Sequence, residues 1–304
     1  MSKFYKVLAV FIVVFAIATV SCSRDDDNAA APLRDYDEQY AKDLDTIDEF
    51  IDSYSMSVSA DYDVTFTKIT PQNPGTSIRN QTDYPLQFKM VHVDDHGTDG
   101  LDYKLYYINL REGGNQRPAY VDSVYVSYKG VLIDNDTFDQ AENPTWLPLY
   151  STIKGWQESI PLFKTGFYAS GGGPDPVSFT DFGAGVVFVP SGLGYYSQTR
   201  LGIPSYSPLI FNFKLFELNY VDHDHDGILS RDEVDPTVTG QDPVDYDSDG
   251  DGTPNLFDID DDGDGIMTKH ELHKDDSGNI IFEDCDNDGI PNYLDADSNG
   301  ETCN

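Results

Sequence analysis

The residues most plainly spaced for chemistry are carboxylates. Roughly half of the chain's 54 acidic residues lie beyond Leu218, with very few Lys or Arg among them. They recur in frames of twelve, an internal repeat rather than a random acidic run. In the first frame Asp222, Asp224 and Asp226 hold positions 1, 3 and 5, Gly227 holds 6, Ile228 holds 7, Ser230 holds 9 and Glu233 holds 12. The frame opening at Asp260 repeats the pattern with Asp262, Asp264, Gly265, Ile266, Thr268 and Glu271. Two further frames close on Asp: Asp247, Asp249, Asp251, Gly252, Thr253, Asn255, Asp258, and Asp284, Asp286, Asp288, Gly289, Ile290, Asn292, Asp295. A hard divalent cation takes about six to eight oxygen ligands, and a glycine at position 6 permits the sharp turn that brings them round one point. The spacing therefore predicts structural Ca2+ sites.

The first and third frames match the EF-hand-type calcium loop. The other two carry Pro254 and Pro291 at position 8, which disfavours a following helix, and they resemble thrombospondin type 3 repeats. Asp295, Asp297 and Asn299 open a fifth frame. With so much uncompensated charge, the region is expected to be disordered without metal and ordered with it. Of the three cysteines, Cys285 and Cys303 bracket the last frame and are expected to form a disulfide if Cys22 is otherwise engaged.

A second group of residues is aromatic. Between Val121 and Leu218, Val124, Val126 and Tyr128 alternate with Tyr125, Ser127 and Lys129, a strand period, and Leu209, Phe211, Phe213 and Leu215 do the same. Val186 to Val189 is also β-rich, while Gly155 to Lys164 reads as a short helix with Trp156, Ile160 and Phe163 on one face. Strands with one short helix make an α+β unit. The order of pieces is V-x-Y-x-G (Val126, Tyr128, Gly130), T-F-D (Thr137, Phe138, Asp139), I-x-G-W (Ile153, Gly155, Trp156), V-P-S leading to G-Y (Val189 to Ser191, Gly194, Tyr195), I-P (Ile203, Pro204) and a closing L-I-F-x-F-x-L strand. This ordered set, about a third of the chain, resembles the FKBP-type peptidyl-prolyl isomerase domain, and it implies a curled antiparallel sheet around a short helix.

The chemistry of such a site can be stated from the residues. An X–Pro bond turns slowly because amide resonance sets a barrier of about 20 kcal/mol. Lowering it needs no nucleophile, metal or general base. An apolar, water-poor pocket favours the twisted amide, whose carbonyl is less polar than that of the planar form. The resemblance implies Trp156 as the floor of a proline pocket, with Tyr128, Phe138, Ile153 and Phe211 as walls and Ile203 beside them. It implies Asp139 and the Tyr195 hydroxyl as the groups that meet the substrate backbone. For the aromatics, plain core packing is the alternative role. The sequence departs from the family in five places. The segment before I-x-G-W, where the family has an aromatic, reads NPTWLPLYSTIKGW and leaves open whether Trp146 takes that place, Thr152 stands where an aliphatic is usual, and Gly194-Tyr195-Tyr196 replaces A-Y-G. Pro161 falls inside the short helix, and Phe167 to Gly185, with three consecutive glycines, reads as a flap near the pocket.

The remaining chain must position and deliver these groups. A net charge of −35 and a pI of about 4.1 exclude a nucleic-acid partner, and 13% aromatics argue for ordered β structure. Residues 1–21 combine Lys3 and Lys6 with an apolar run from Val7 to Val20. They resemble a bacterial lipoprotein signal peptide, which implies lipidation of Cys22, with an ordinary cleaved leader as the alternative. The acidic run after Cys22 is similar to the surface-export signal of Bacteroidetes lipoproteins. Residues 22–34 form an acidic tether, and 35–118 a helix and β extension without a chemical motif, in which His92 and His96 read as surface residues. Residues 119–219 form the isomerase-like domain and 220–304 the calcium repeats. In the extension Tyr40, Leu44, Ile47, Phe50 and Ile51 recur at helical spacing, so this helix packs on the globular part, mediates a homodimer or is a solvated spacer.

Together these readings predict a lipid-anchored outer-membrane isomerase, periplasmic or surface-exposed, that acts on proline-containing client polypeptides. Ca2+ is structural and catalysis uses no cofactor. The alternatives are a proline-recognising module without turnover, and a calcium-dependent adhesion or docking lipoprotein.

Overall fold

The computed structural model describes residues 32–169, 178–235, 237–238, 241–298 and 303. The signal peptide 1–21, Cys22 with most of the tether, Asn299 and the centre of the 167–185 segment lie outside the described residues. The chain divides into two units, Met1–Leu33 and Arg34–Asn304, and the described architecture is that of the second.

Helix α1 (Tyr36–Ser53) starts where Asp35 accepts the backbone N–H of Asp37 and Glu38 at 3.0 and 3.2 Å, satisfying two of the orphan donors of its first turn. A hairpin of β1 (Tyr54–Val58) and β2 (Val64–Lys68) follows. The strands β3 (Leu86–Val93), β4 (Leu101–Arg111), β5 (Ser123–Leu132) and β6 (Thr137–Pro148) come next, then helix α2 (Lys154–Ser159). The short strands β7 (Phe167–Ala169) and β8 (Ser178–Thr180) precede β9 (Gly183–Val189) and β10 (Leu209–Asn219). Six of these form one antiparallel sheet in the order β3-β4-β9-β10-β5-β6.

The period of two sorts the side chains into two cores, one on each face. Leu105, Val124, Val126, Val187, Val189, Leu209, Phe211, Phe213 and Leu215 share one with Trp156, Ile160 and Phe163 of the α2 segment. Ile108, Leu110, Val186, Phe188 and Ile210 face the other, which Ile47, Phe50 and Ile51 of α1 close together with Phe66 of β2. Helix α1 thus packs on the sheet of its own chain, and the extension supplies β3 and β4 to that same sheet.

Three sequence expectations change here. The helix expected over Gly155–Lys164 ends at Ser159, and Ile160–Leu162 tightens into a 3-10 turn with Pro161 near its start, because proline lacks the N–H that would continue the ladder. The 167–185 segment pairs β7 with β8, and Phe179 packs 6.0 Å from the Tyr125 ring and 5.4 Å from Phe216. Tyr125 alternates with the buried Val124 and Val126, so this hairpin lies across the sheet from the α2 core. Trp146 stands opposite Tyr125 in the β5–β6 register, 5.2 Å away and 46% exposed, on that same outer face. Its neighbour Leu147 points inward instead.

Candidate active site and cation-binding loops

Period two on β5 and β10 sends Tyr128 and Phe211 to the α2 face, and the bend after β6 brings Ile153 and Trp156 beneath them. The resulting cavity, about 730 Å3, is lined by Tyr128, Phe138, Asp139, Ile153, Trp156, Tyr195, Ile203 and Phe211. Trp156, 4% exposed, forms the floor. Its ring meets Tyr128 edge-on at 5.2 Å and Phe211 at 5.4 Å, and Phe138 meets Phe211 perpendicularly at 5.5 Å. These edge-to-face contacts hold a box of ring faces open toward the mouth. Gly130 is required on the wall, since a Cβ there would lie 2.5 Å from the Phe138 ring and 3.0 Å from Phe211.

The polar groups are few. The Tyr128 hydroxyl donates to Asp139 Oδ2 at 2.7 Å. Burial first, and the Asp139 carboxylate second, push the Tyr128 phenol up to about 12, so it remains a donor at neutral pH. This bond leaves the other Asp139 oxygen at an exposed rim. Tyr195 follows the turn Ser191–Leu193, and Arg200 lies 5.3 Å over its ring. Tyr196, where the family pattern has glycine, adopts φ +47 and stacks on Tyr36 at 4.2 Å, outside the cavity. Such an enclosure can bind a small apolar ring and present one hydroxyl and one carboxylate to an adjacent backbone, and it has no feature of a nucleophile-base pair.

Sequence reasoning missed four contributors. Leu147 lines the cavity where an aromatic was sought. Lys154 and Arg200 stand at its mouth. Asp43 of α1, 1% exposed, accepts the Ser191 N–H at 2.7 Å and Gln39 Nε2 at 2.6 Å, fixing the turn that carries Tyr195. Asp43 precedes Leu44 on the buried side of an otherwise amphipathic helix, and that anomaly was the available signal.

Beyond β10 the four acidic frames share one local geometry. Each position-6 glycine is left-handed, with φ of +112 at Gly227, +98 at Gly252, +94 at Gly265 and +100 at Gly289. Each donates its N–H to the position-1 carboxylate, Asp222, Asp247, Asp260 or Asp284, at 2.9 to 3.1 Å. The position-9 side chains expected as ligands have another partner: Ser230, Asn255, Thr268 and Asn292 accept the N–H of His223, Ser248, Asp261 and Cys285 at 2.9 to 3.0 Å. They brace the loops from behind.

Carboxylate oxygens gather in Asp247/Asp249/Asp251, Asp260/Asp262/Asp264, Asp284/Asp286/Asp288 and Asp224/Asp226/Glu233/Asp261, within 4.8 Å of one another in each group. Glu233 and Glu271, at position 12, are 4% and 2% exposed with both oxygens buried and unpartnered. Asp258 and Asp295, which close the other two frames, accept the N–H of Asp260 and Asp297. Burial, then the neighbouring acids, push Glu233 up to about 9 and Glu271 up to about 8. Orphaned, buried, acceptor-only oxygens on glycine-turned loops fit a hard, oxygen-seeking cation such as Ca2+. Cys285 and Cys303 are bridged by a disulfide.

The chain is 31% identical over 114 residues to a probable FKBP-type peptidyl-prolyl cis-trans isomerase FkpA of Neisseria meningitidis, covering 36% of this chain and 40% of the relative. It is 41% identical over 71 residues to the peptidyl-prolyl cis-trans isomerase Mip of Coxiella burnetii, covering 22% of this chain and 29% of the relative. These matches span less than half the length of the curated relatives. A solved peptidyl-prolyl cis-trans isomerase of Pseudomonas syringae aligns over 38% of this chain and 75% of that one, with 25% identity and a TM-score of 0.32. Residues 223–281 match the family described as BamM C-terminal. Over about a third of its length this chain is therefore related to the FKBP-type peptidyl-prolyl cis-trans isomerases.

Proposed function

We propose that this chain is a peptidyl-prolyl cis-trans isomerase that assists folding of proline-containing polypeptides outside the cytoplasm. It is tethered to the outer membrane by a lipid on Cys22 and carries a Ca2+-stiffened C-terminal region. The observation that carries the reading is the convergence of Trp156, Tyr128, Phe138, Ile153, Ile203 and Phe211 on one cavity with two polar groups at its rim. A proline ring would lie over Trp156, the aromatic walls would exclude water, and Tyr195 and Asp139 would meet the flanking backbone. Twisting the amide removes its resonance polarity, so this water-poor site stabilises the twisted state relative to the planar one. The Ca2+ reading rests on the four glycine-turned loops and their buried, unpartnered carboxylates. No helix among the described residues is long and apolar enough to cross a membrane, and the membrane tie proposed here is the lipid on Cys22.

The test is a protease-coupled proline-isomerisation assay. Trp156→Ala and Tyr195→Phe should each lower kcat/KM at least tenfold with the sheet retained by circular dichroism, and an FKBP-directed macrolide should inhibit. Turnover unchanged in both variants would remove the assigned pocket. A second reading, a proline-recognising module without turnover, is favoured by Trp146 facing away from the cavity. Macrolide binding with no turnover would establish it.

A further inference from the structure

We propose that Asp261, at position 2 of the third frame, is a ligand of the first frame's cation, so that one divalent ion cross-links two loops separated in sequence. The inference rests on the Ca2+ reading above and adds a ligand that the frame pattern does not contain.

Position 2 has no ligand role in the twelve-residue pattern. The Asp261 backbone N–H is taken by Thr268 Oγ1 at 3.0 Å within its own loop. Its side chain leaves that loop, and one of its oxygens lies with oxygens of Asp224, Asp226 and Glu233, within 4.8 Å of one another. Asp261 is 2% exposed, Glu233 4% and Asp226 4%. Both oxygens of Asp261, both of Glu233 and one each of Asp224 and Asp226 are buried without a hydrogen-bond partner. Three buried carboxylates and the half-buried Asp224, with six orphaned oxygens between them, repel one another, and an isolated ionised carboxylate is costly to bury. A doubly charged ion with a demand for oxygen ligands removes both costs at once. The other three groups are each drawn from a single frame. The first site instead joins two frames, and it would bind only when the first and third loops are docked.

The test is calcium titration of the full chain by calorimetry, for wild type, Asp261→Asn and Asp286→Asn, the last altering a loop that shares no carboxylate with the first site. We expect Asp261→Asn to lose one site or weaken it at least tenfold. Hydrogen exchange should show calcium protection lost in 222–233 and kept in 284–295, with the reverse for Asp286→Asn. Because the Asn variant removes charge from the buried group, its tail should exchange more slowly than wild type in chelator and faster in calcium. This inversion separates a lost ligand from a folding defect. Stoichiometry and affinity equal to wild type in Asp261→Asn, with Asp286→Asn impaired, would overturn the cross-link and leave the other loops standing. Faster exchange of Asp261→Asn in both conditions would also overturn it. No calcium uptake by wild type would remove the Ca2+ reading itself, and the cross-link with it.

Discussion

In chelator, the C-terminal region should lose stability as pH rises through neutrality. Glu233 shows the size of the effect. Its ordinary value of 4.5 is pushed up to about 9 by burial and by Asp224, Asp226 and Asp261. The folded value is raised, so the folded loops hold this proton more tightly than the unfolded chain does. The stability it contributes is complete below about 4.5 and is lost as pH climbs toward about 9. Across that window one group costs about 1.4 kcal/mol per pH unit. From pH 6 to pH 8 Glu233 alone therefore costs about 3 kcal/mol, roughly a hundredfold in the opening equilibrium. Asp261, pushed up to about 8 chiefly by burial, acts in the same direction.

The assay is hydrogen exchange of residues 220–298 at pH 6 and pH 8, corrected for intrinsic exchange, with chelator and with millimolar calcium. Chelated loops should open about a hundredfold more at the higher pH, while the calcium-loaded ones should be nearly flat, because the ion replaces the protons. Calcium uptake should accordingly release protons, seen as a binding heat that depends on the ionisation enthalpy of the buffer. Equal opening at both pH values in chelator would refute the reasoning, since it would mean that these carboxylates are solvated rather than buried together.

Two further perturbations address the pocket. Asp43→Ala strands the Ser191 N–H in the interior, and an unsatisfied buried donor costs about 1–3 kcal/mol, so chemical denaturation should show that loss together with a fall in kcat/KM through the displaced Tyr195 turn. A stability within about 0.5 kcal/mol of wild type would contradict it. Gly155→Ala would place its Cβ 2.5 Å from Val189 Cγ1, a fully buried side chain of β9. Overpacking of about 1–3 kcal/mol should follow, with Trp156 fluorescence shifted, and an unchanged spectrum would show that α2 can yield without moving its neighbour.

How much of this was legible in the sequence depends on the reach of each contact. Tyr128, Phe211 and Trp156 could be placed on one side because strand and helix periods are local and the motif order is dense. Trp146 could not, since its face depends on the β5–β6 pairing, where bulges between Val126 and Tyr128 and between Gly130 and Val131 reset the register. The helix end was misjudged because Ile160 and Phe163 keep the apolar pattern through Pro161, where backbone hydrogen bonding fails. The loop glycines were legible from their spacing. The role of the position-9 side chains was not, because a side-chain oxygen can serve a cation or a backbone N–H and the sequence is the same for both. His96 read as an isolated surface residue, yet it lies 2.9 Å from the Tyr103 hydroxyl of β4 and stacks 3.9 Å from Tyr36, a contact that exists only once α1 docks.

The segment that forms one lip of the cavity also touches the loops, and its composition says how one can affect the other. Ser151, Thr152 and Ile153 form one lip of the cavity. Tyr150, beside them, packs 5.9 Å from His223 and 5.4 Å from Phe257. His223 is position 2 of the first frame and Phe257 position 11 of the second, so both contacts arise inside loops whose shape the frames determine. Arg231 of the first frame also pairs with Asp122, a fully buried residue that accepts the Ala119 N–H just before β5. The coupling therefore runs through packing, one shielded ion pair and the hydrogen bond from the Tyr120 hydroxyl to Asp242, not through the field of the tail's carboxylates, which salt would screen within about 8 Å at physiological strength. A cation that fixes the first two loops fixes the seat of Tyr150 and with it the lip over which a proline-containing chain would enter. The aromatic floor, braced by Phe211 and Phe213, keeps its geometry either way. Loss of calcium should on this ground weaken substrate capture before it weakens the bond rotation itself.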